Sequence, residues 1–379
     1  MPGALFGWHP ERSTAVIPSG ARDLKSAPQL QQRELESAKE WVVVIEYASL
    51  SSCNFHLVTF CSYWHSALLY PGPALHQYPQ SPVFYRKLAR DYPLMGRGEG
   101  CWLTDDTGKK YLDGSGGAFV ANLGHGVRAI GDAMAKQASK VAYVNGTMFT
   151  NEPVERFSSM LSALSSGLGK VYPLTSGSEA VEAALKLARQ YWVESGRPSK
   201  HRIIALSPAY HGNTLLALSA SAREHYKTYF REWLVDVIRI PAPYAYRCNC
   251  AGDPECRVCT GQVLEDAILR EGAENVAAFI AEPVGGSSTG ATIPRDGYWA
   301  RVREICDRHE VLLIADEVLP GAGRPGTLCA LAPTGVRPDI MTLGQGIGAG
   351  LMPRSATLTH RRITDQQANG HGYFPPAQP

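Results

Sequence analysis

The chain has 379 residues and a mass of 41.1 kDa, more than a small disulfide-stapled scaffold needs and enough for one large α/β domain with an appendage, or for two domains. Its 37 Lys and Arg against 35 Asp and Glu give a formal charge of +2, too even a balance for the basic footprint of a nucleic-acid binder. Hydrophobic residues make up 44% and charged residues 19%, which excludes a disordered or collagen-like chain.

Residues 1–80 carry scattered Ser, Gln, Trp, Cys and Pro with no sustained period and run out through Pro71-Gly72-Pro73 and Pro79 to Pro82. They are expected to form an irregular, poorly ordered N-terminal extension. Glu11, Arg12, Arg22, Asp23 and Lys25 precede any apolar run, unlike a secretory leader. The apolar stretch from Trp41 to Tyr70 is broken by Glu46, Asn54, His56 and His65, so no membrane span is expected. Nine cysteines, an odd count in a long chain, favour a reducing compartment and a cytoplasmic protein.

Residues 81–150 form a segment with short strands: Gly98 to Leu112 reads as two strands around a turn at Asp106 to Gly108. Over residues 151–363 helical and strand patterns alternate. Val154, Phe157, Leu161 and Leu164 recur at helical spacing behind Asn151 and Pro153, and Val181, Leu185, Ala188 and Trp192 do so behind Ser178. The short apolar runs Ile203 to Leu206, Val235 to Ile240, Ala277 to Ala281, Val311 to Ala315 and Ile340 to Leu343 suit strands buried on both faces. The fold class is therefore α/β with a largely parallel central sheet. Residues 364–379 form a short tail.

In such a sheet ligands bind beyond the carboxyl ends of the strands, and four of these ends carry chemistry. Ser176-Gly177-Ser178-Glu179 opens a helix, where free backbone amides and the positive dipole end suit a phosphate, although the same pattern also serves as a plain helix cap. Tyr210-His211-Gly212 offers an aromatic face beside an imidazole. Glu282-Pro283 and Asp316-Glu317-Val318 place carboxylates at buried strand ends, which is costly unless they are paired. Asp316 could hold a proton on a heterocyclic nitrogen; Glu317 is read as a structural carboxylate paired with arginine. Cys248, Cys250, Cys256 and Cys259 have a spacing that could make a closed zinc site. Gly344-Gln345-Gly346-Ile347-Gly348-Ala349 fits a dinucleotide fingerprint, but that motif must open a helix, which Gly350 and Pro353 would break.

In order and spacing these blocks, from about Ser81 to about Ile363, resemble the class III aminotransferases, pyridoxal-phosphate enzymes of fold type I. The resemblance rests on Gly98-Glu99-Gly100, Tyr111-Leu112-Asp113, Gly124-His125, Ser176 to Ala180, Tyr210-His211-Gly212, Glu282-Pro283-Val284, Ala315-Asp316-Glu317-Val318, Gly321-Ala322-Gly323-Arg324 and Gly346-Ile347-Gly348-Ala349-Gly350. It implies a fold type I large domain over 151–363 that binds pyridoxal 5'-phosphate. Ser176, Gly177 and Ser178 would hold the phosphate; Tyr210 would stack on the ring with His211 beside it. Asp316 would pair with the ring nitrogen, Val318 would pack on the other ring face, and Glu282 would lie near the substrate side. The implied partners are a small-molecule amino donor, an oxo-acid or aldehyde acceptor, and a second copy of the chain in a homodimer. No metal is expected, since similar Cys-containing loops occur among the aminotransferases without one.

Three positions depart from the family pattern. Gln345 stands where the family has the lysine that forms an imine with the cofactor, and no lysine occurs after Lys227. A carboxamide can neither form an imine nor shuttle the proton, so the cofactor is expected to bind non-covalently and the chain to be impaired. The alternative is a catalytically silent binding or partner subunit. Gly372 replaces a family threonine that reaches the phosphate across the dimer, and Pro325 replaces a common threonine. Because family members continue into a C-terminal small domain, residues 364–379 are read as a truncated tail.

Overall fold

A computed structural model of the chain describes residues 76–374 apart from 166 and 251, together with the backbone of two strands at 44–48 and 55–59. The chain divides into two units, Met1–Pro93 and Leu94–Pro379. In the first, β1 (Val44–Ala48) pairs antiparallel with β2 (Phe55–Thr59). Most of the extension expected over 1–80 lies outside the described residues.

The second unit opens with an antiparallel sheet of β3 (Met95–Glu99), β4 (Trp102–Asp105) and β5 (Lys110–Leu112). Asp105 builds the expected turn between β4 and β5. Its Oδ1 accepts from the amides of Thr107 at 3.0 Å and Lys109 at 2.9 Å, and its Oδ2 from the Tyr111 hydroxyl at 2.8 Å. The pattern of Met95–Glu99, with two glycines and no β-branched residue, hides β3 from a sequence reading.

The main sheet has seven strands in the order β6-β12-β11-β10-β9-β7-β8. They are β6 (Lys170–Leu174), β7 (Arg202–Ser207), β8 (Ile238–Pro241), β9 (Val276–Ala281), β10 (Leu312–Asp316), β11 (Ile340–Leu343) and β12 (Ser355–Thr359). Strands β8, β7, β9, β10 and β11 run parallel, and β12 runs antiparallel to both β11 and β6. All five expected apolar runs lie in this sheet, although β8 starts at Ile238 rather than Val235.

Helix α1 (Arg128–Ala138) buries no residue, and helices α2 (Glu152–Leu164), α3 (Gly177–Glu194), α4 (Leu215–Ala220), α5 (Gln262–Glu271), α6 (Tyr298–Arg308) and α7 (Arg361–Asn369) cover the faces of the sheet, leaving aside helices of a single turn. Alternate strand residues sort into two cores. Ile204, Phe279, Leu313 and Met341 pack with Leu264 and Ile268 of α5 and with Val302 and Ile305 of α6. Ala205, Ile280, Ile314 and Ile340 pack on the other face with Val181, Leu185 and Trp192 of α3. Each large side chain so buried contributes about 1.5–3 kcal/mol, which makes the sheet a stiff platform for what lies at its edge. Among the described residues no helix is long and apolar enough to cross a membrane.

Helix α2 begins as expected, with Asn151 accepting from the Val154 amide and Pro153 in the first turn. Helix α3 is capped by Ser176, not Ser178. The Ser176 hydroxyl accepts from the Glu179 amide at 3.2 Å, and Glu179 returns a bond to the Ser176 amide at 2.8 Å. The Ser178 hydroxyl instead donates to Asn213 Oδ1 at 2.9 Å and accepts from the Asn213 amide at 3.1 Å.

Candidate active site

The chemically loaded segments leave the sheet at one end. Strand β6 leads into Ser176 and Gly177, β7 into Tyr210 and His211, β9 into Glu282, β10 ends on Asp316 and β11 leads into Gln345. Antiparallel β12 starts at this same end, where the Ser355 hydroxyl donates to the Ser176 carbonyl at 2.7 Å. The first amides of α3, which have no intrahelical partner, are thereby fixed beside the ends of β10 and β11. The packing is tight: a Cβ on Gly177 would stand 2.6 Å from Val318 Cγ1, and one on Gly344 would stand 3.3 Å from Gly177 Cα. Glycine is needed at these positions for close approach rather than for a turn.

Asp316 is buried at the centre of this region. Its Oδ1 accepts from the Thr342 hydroxyl at 2.9 Å and from the Val318 amide at 3.1 Å, and its Oδ2 lies 2.6 Å from His211 Nδ1. His211 has no exposed side-chain surface, its amide donates to Ser221 Oγ at 2.8 Å, and its Nε2 is buried without a hydrogen-bond partner. The carboxylate thus orients an imidazole whose Nδ1 proton it holds, so that Nε2 carries the lone pair when the ring is neutral. Thr342 is reached through sheet register, since parallel pairing sets it opposite Asp316.

The other two carboxylates are satisfied by backbone. Glu282 accepts from the Tyr210 amide at 3.2 Å and from the Gly286 amide at 3.1 Å, so it ties the segment after β7 to the segment after β9. Burial, reinforced by the nearby Asp316 charge, pushes its carboxyl up to about 7, against the lowering influence of His211 and the two amides. Glu317 is fully buried and accepts from the amides of Ala330 and Leu331, each at 2.9 Å. This corrects the expected arginine pairing: two loop amides take the place of a guanidinium. Burial pushes its carboxyl up to about 7 as well. The ring of Tyr210 meets the edge of Tyr226 at 5.9 Å, and the Arg223 guanidinium lies 5.3 Å from its centroid.

Beyond β11 the chain makes one tight 3-10 turn, Gln345–Ile347, and no helix, which removes the dinucleotide reading. Gln345 adopts φ +43°, a left-handed conformation rare for a residue with a side chain, and its Oε1 is buried without a hydrogen-bond partner. The flanking glycines let this turn approach its surroundings: a Cβ on Gly346 would lie 2.8 Å from Asn122 Nδ2, and Asn122 donates to the Ala322 carbonyl at 3.0 Å. Three further blocks also meet. The residues Gly100 and His125 form an isolated bridge, Gly98 packs on the His125 ring, and His125 Nε2 lies 2.9 Å from Asp113 Oδ2. Gly372 stands at φ +65°, and its amide donates to the Gln367 carbonyl at 2.8 Å.

The structure therefore brings Ser176, Gly177, Tyr210, His211, Glu282, Asp316, Val318 and Gln345 to one end of the sheet, with the Ser178 hydroxyl engaged by Asn213. Sequence reading misses Asn213, Ser221, Thr342 and Ser355, whose roles depend on which strand lies beside which.

The model of the aminotransferase class-III family matches residues 87–373. The chain is 37% identical over 287 residues to an uncharacterized aminotransferase, YodT, of Bacillus subtilis, covering 76% of this chain and 65% of that protein. It is 38% identical over 271 residues to the adenosylmethionine-8-amino-7-oxononanoate aminotransferase of Geobacter sulfurreducens, covering 71% of this chain and 60% of that protein. It thus spans somewhat under two thirds of the length of these curated relatives. Its fold is similar to that of an (S)-enantioselective omega-transaminase of Thermomicrobium roseum, with a TM-score of 0.72 and 35% identity over 79% of this chain and 67% of that one. An amine transaminase of an uncultivated Pseudomonas species, solved with pyridoxal phosphate bound, gives a TM-score of 0.72 and 35% identity over 79% of this chain and 71% of that one.

Proposed function

Because the chain belongs to the class III aminotransferases, we propose that it binds pyridoxal 5'-phosphate without covalent attachment and transfers amino groups only at or near background. The observation that carries this reading is Gln345, held at φ +43° in a turn whose preceding Gly344 packs on Gly177 and Val318, with a carboxamide where an amine would be required. The residues present fit the phosphate and ring of the cofactor but not a bond to it: a buried Asp316 carboxylate suits a protonated ring nitrogen, whereas Gln345 offers no nucleophile. When bound, the group supplies an electron sink conjugated to the amino-bearing carbon.

The amides of Gly177 and Ser178 at the start of α3 would hold the phosphate, with Ser176 as the cap that keeps them in place. Tyr210 and Val318 would enclose the ring. His211 would keep Asp316 oriented, and Glu282, bonded to the Tyr210 amide, would position that aromatic segment toward the substrate side. The substrates on this reading are a small-molecule amino donor and a 2-oxo acid or aldehyde acceptor. Without an amine at 345, proton transfer from the substrate carbon loses general-base help worth about a hundred- to ten-thousand-fold.

The protein would act as a homodimer in the cytoplasm. In support of the first, Tyr143, Met148 and Phe149 are 68%, 72% and 61% exposed on one short segment, an apolar surface that a second copy would cover. In support of the second, the seven described cysteines are free thiols.

The same Gln345 also supports a second reading, a silent cofactor-binding subunit, and turnover separates the two. The deciding experiment adds pyridoxal phosphate to the purified chain, treats it with borohydride and dialyses it. The wild type should release the cofactor, and Gln345→Lys should retain it covalently. Recovery of a pyridoxyl group on a lysine in the active site of the unmutated chain would place the family lysine elsewhere and overturn the proposal.

A further inference from the structure

Between the end of β8 at Pro241 and the start of α5 at Gln262 the chain runs about 20 residues with a single 3-10 turn, Ala245–Arg247, as regular structure. Segments of this length without elements of their own need another device to hold them. Here the described residues supply four cysteines. The Sγ atoms of Cys248, Cys250, Cys256 and Cys259 all lie within 4.8 Å of one another, with Cys248 to Cys256 at 3.5 Å and Cys250 to Cys259 at 3.8 Å. In a tetrahedral zinc tetrathiolate with Zn–S of about 2.3 Å, neighbouring sulfurs stand about 3.8 Å apart. The two measured separations are close to those of such a tetrahedron and exceed a disulfide bond length by far.

We propose that Cys248, Cys250, Cys256 and Cys259 bind one zinc ion as a closed structural site. The backbone is folded around the thiols: the Asp253 amide donates to the Cys250 carbonyl at 2.7 Å, the Thr260 amide to the Cys256 carbonyl at 2.9 Å, and Gly252 makes a left-handed turn at φ +90°. A cation from outside the loop faces the sulfurs. Arg295 donates through one nitrogen to Cys250 Sγ at 3.5 Å and through another to the Asp253 carbonyl at 2.8 Å. A zinc tetrathiolate carries two negative charges, and a guanidinium bonded to one of its sulfurs is the kind of outer partner that stabilises it. Cys259 is itself buried, whereas Cys101 stands exposed outside the cluster.

Four thiols lose four protons as the ion binds, so affinity should fall as pH drops. With all four positions filled by sulfur, no site is left for water or substrate, and the ion serves the fold rather than the chemistry. Its effect is to clip the loop together next to α6, where a Cβ on Gly261 would meet Val302 and Tyr298 at 3.2 and 3.3 Å. The site does not depend on how the cofactor is bound.

Elemental analysis of the full chain, purified without chelators, should find about one zinc per chain. Cys250→Ser combined with Cys259→Ser should cut the content at least tenfold, and Cys101→Ser should leave it unchanged. Cobalt(II) exchanged into the wild type should give the intense visible bands of tetrahedral tetrathiolate cobalt, a readout that holds even if the double variant fails to fold. Less than about a tenth of an equivalent of zinc in the wild type, weak octahedral-type cobalt bands, or a mass four hydrogens lower under non-reducing conditions, which means two disulfides, would each overturn the proposal.

Discussion

Glu317 makes the energetics of this fold depend on pH in a way that one substitution isolates. Burial pushes its carboxyl from the ordinary 4.5 to about 7 in the folded chain, even though the amides of Ala330 and Leu331 favour the ionised form. Because the folded state holds this proton more tightly than the unfolded state, the stabilising contribution is complete below about pH 4.5 and is lost as pH rises through 7. At about 1.36 kcal/mol per pK unit the full loss is about 3 kcal/mol, most of which falls between pH 5 and pH 8. Glu317→Gln removes the titration. Its Oε1 can accept from one loop amide while its amide nitrogen opposes the other, a fixed penalty of about 1–3 kcal/mol at any pH. Equilibrium urea unfolding at equal protein concentration should therefore show the variant less stable at pH 5, with the difference shifting toward the variant by about 2–3 kcal/mol at pH 8. A gap that stays constant between the two pH values would mean that Glu317 ionises at its ordinary pH, and the assignment would fail.

Asp316→Ala should abolish measurable pyridoxal-phosphate affinity in equilibrium dialysis, while Glu317→Ala should change it much less; equal effects would contradict the division of labour between the two carboxylates. Gly177→Ala drives a methyl to 2.6 Å from Val318 Cγ1 and should cost about 1–3 kcal/mol in thermal or urea unfolding. Val318→Ala in the same chain should recover most of that loss, and an additive result would show that the contact is not the cause. Analytical ultracentrifugation at micromolar concentration should find a dimer, and a stable soluble monomer would refute the covered apolar surface around Met148 and Phe149.

The sheet was legible where strands were apolar and bounded: β7, β9, β10 and β11 are runs of Val, Ile, Leu, Phe and Ala that announce burial on both faces. Strand β12 was not, because Ser-Ala-Thr-Leu-Thr reads as half polar. Its hydroxyls hide by donating to the carbonyls of Ser176, Ala180 and Asp339, and all five residues are buried. Helices α5 and α6 escaped detection because each starts from a left-handed glycine, Gly261 at φ +81° and Gly297 at φ +83°, in place of a side-chain cap. At the site, the residues themselves were visible as loaded strand ends, but their partnerships were not. The contact of Thr342 with Asp316 needs the register of β10 on β11, and that of His211 with Asp316 needs the order of β7, β9 and β10 across the sheet.

The antiparallel strand has a further consequence, for the order in which the molecule can be made. Among the described residues strand β6 lies at the edge of the main sheet and pairs there only with β12, and Leu174 faces Ser355 across a gap of 181 residues in the chain. A ribosome adding about 5–20 residues per second needs about 10–40 s to cover that distance. During that time β7, β8, β9 and β10 can assemble with α5 and α6 on one face and α3 on the other, while β6, which leads into Ser176 and Gly177, has no strand to pair with. The start of α3 is therefore anchored to its sheet edge among the last steps, when β11 and β12 arrive together with Gln345 between them. Newly made chains should pass through a state with a formed parallel half-sheet and an open edge, the form most exposed to pairing with another chain before β12 closes it.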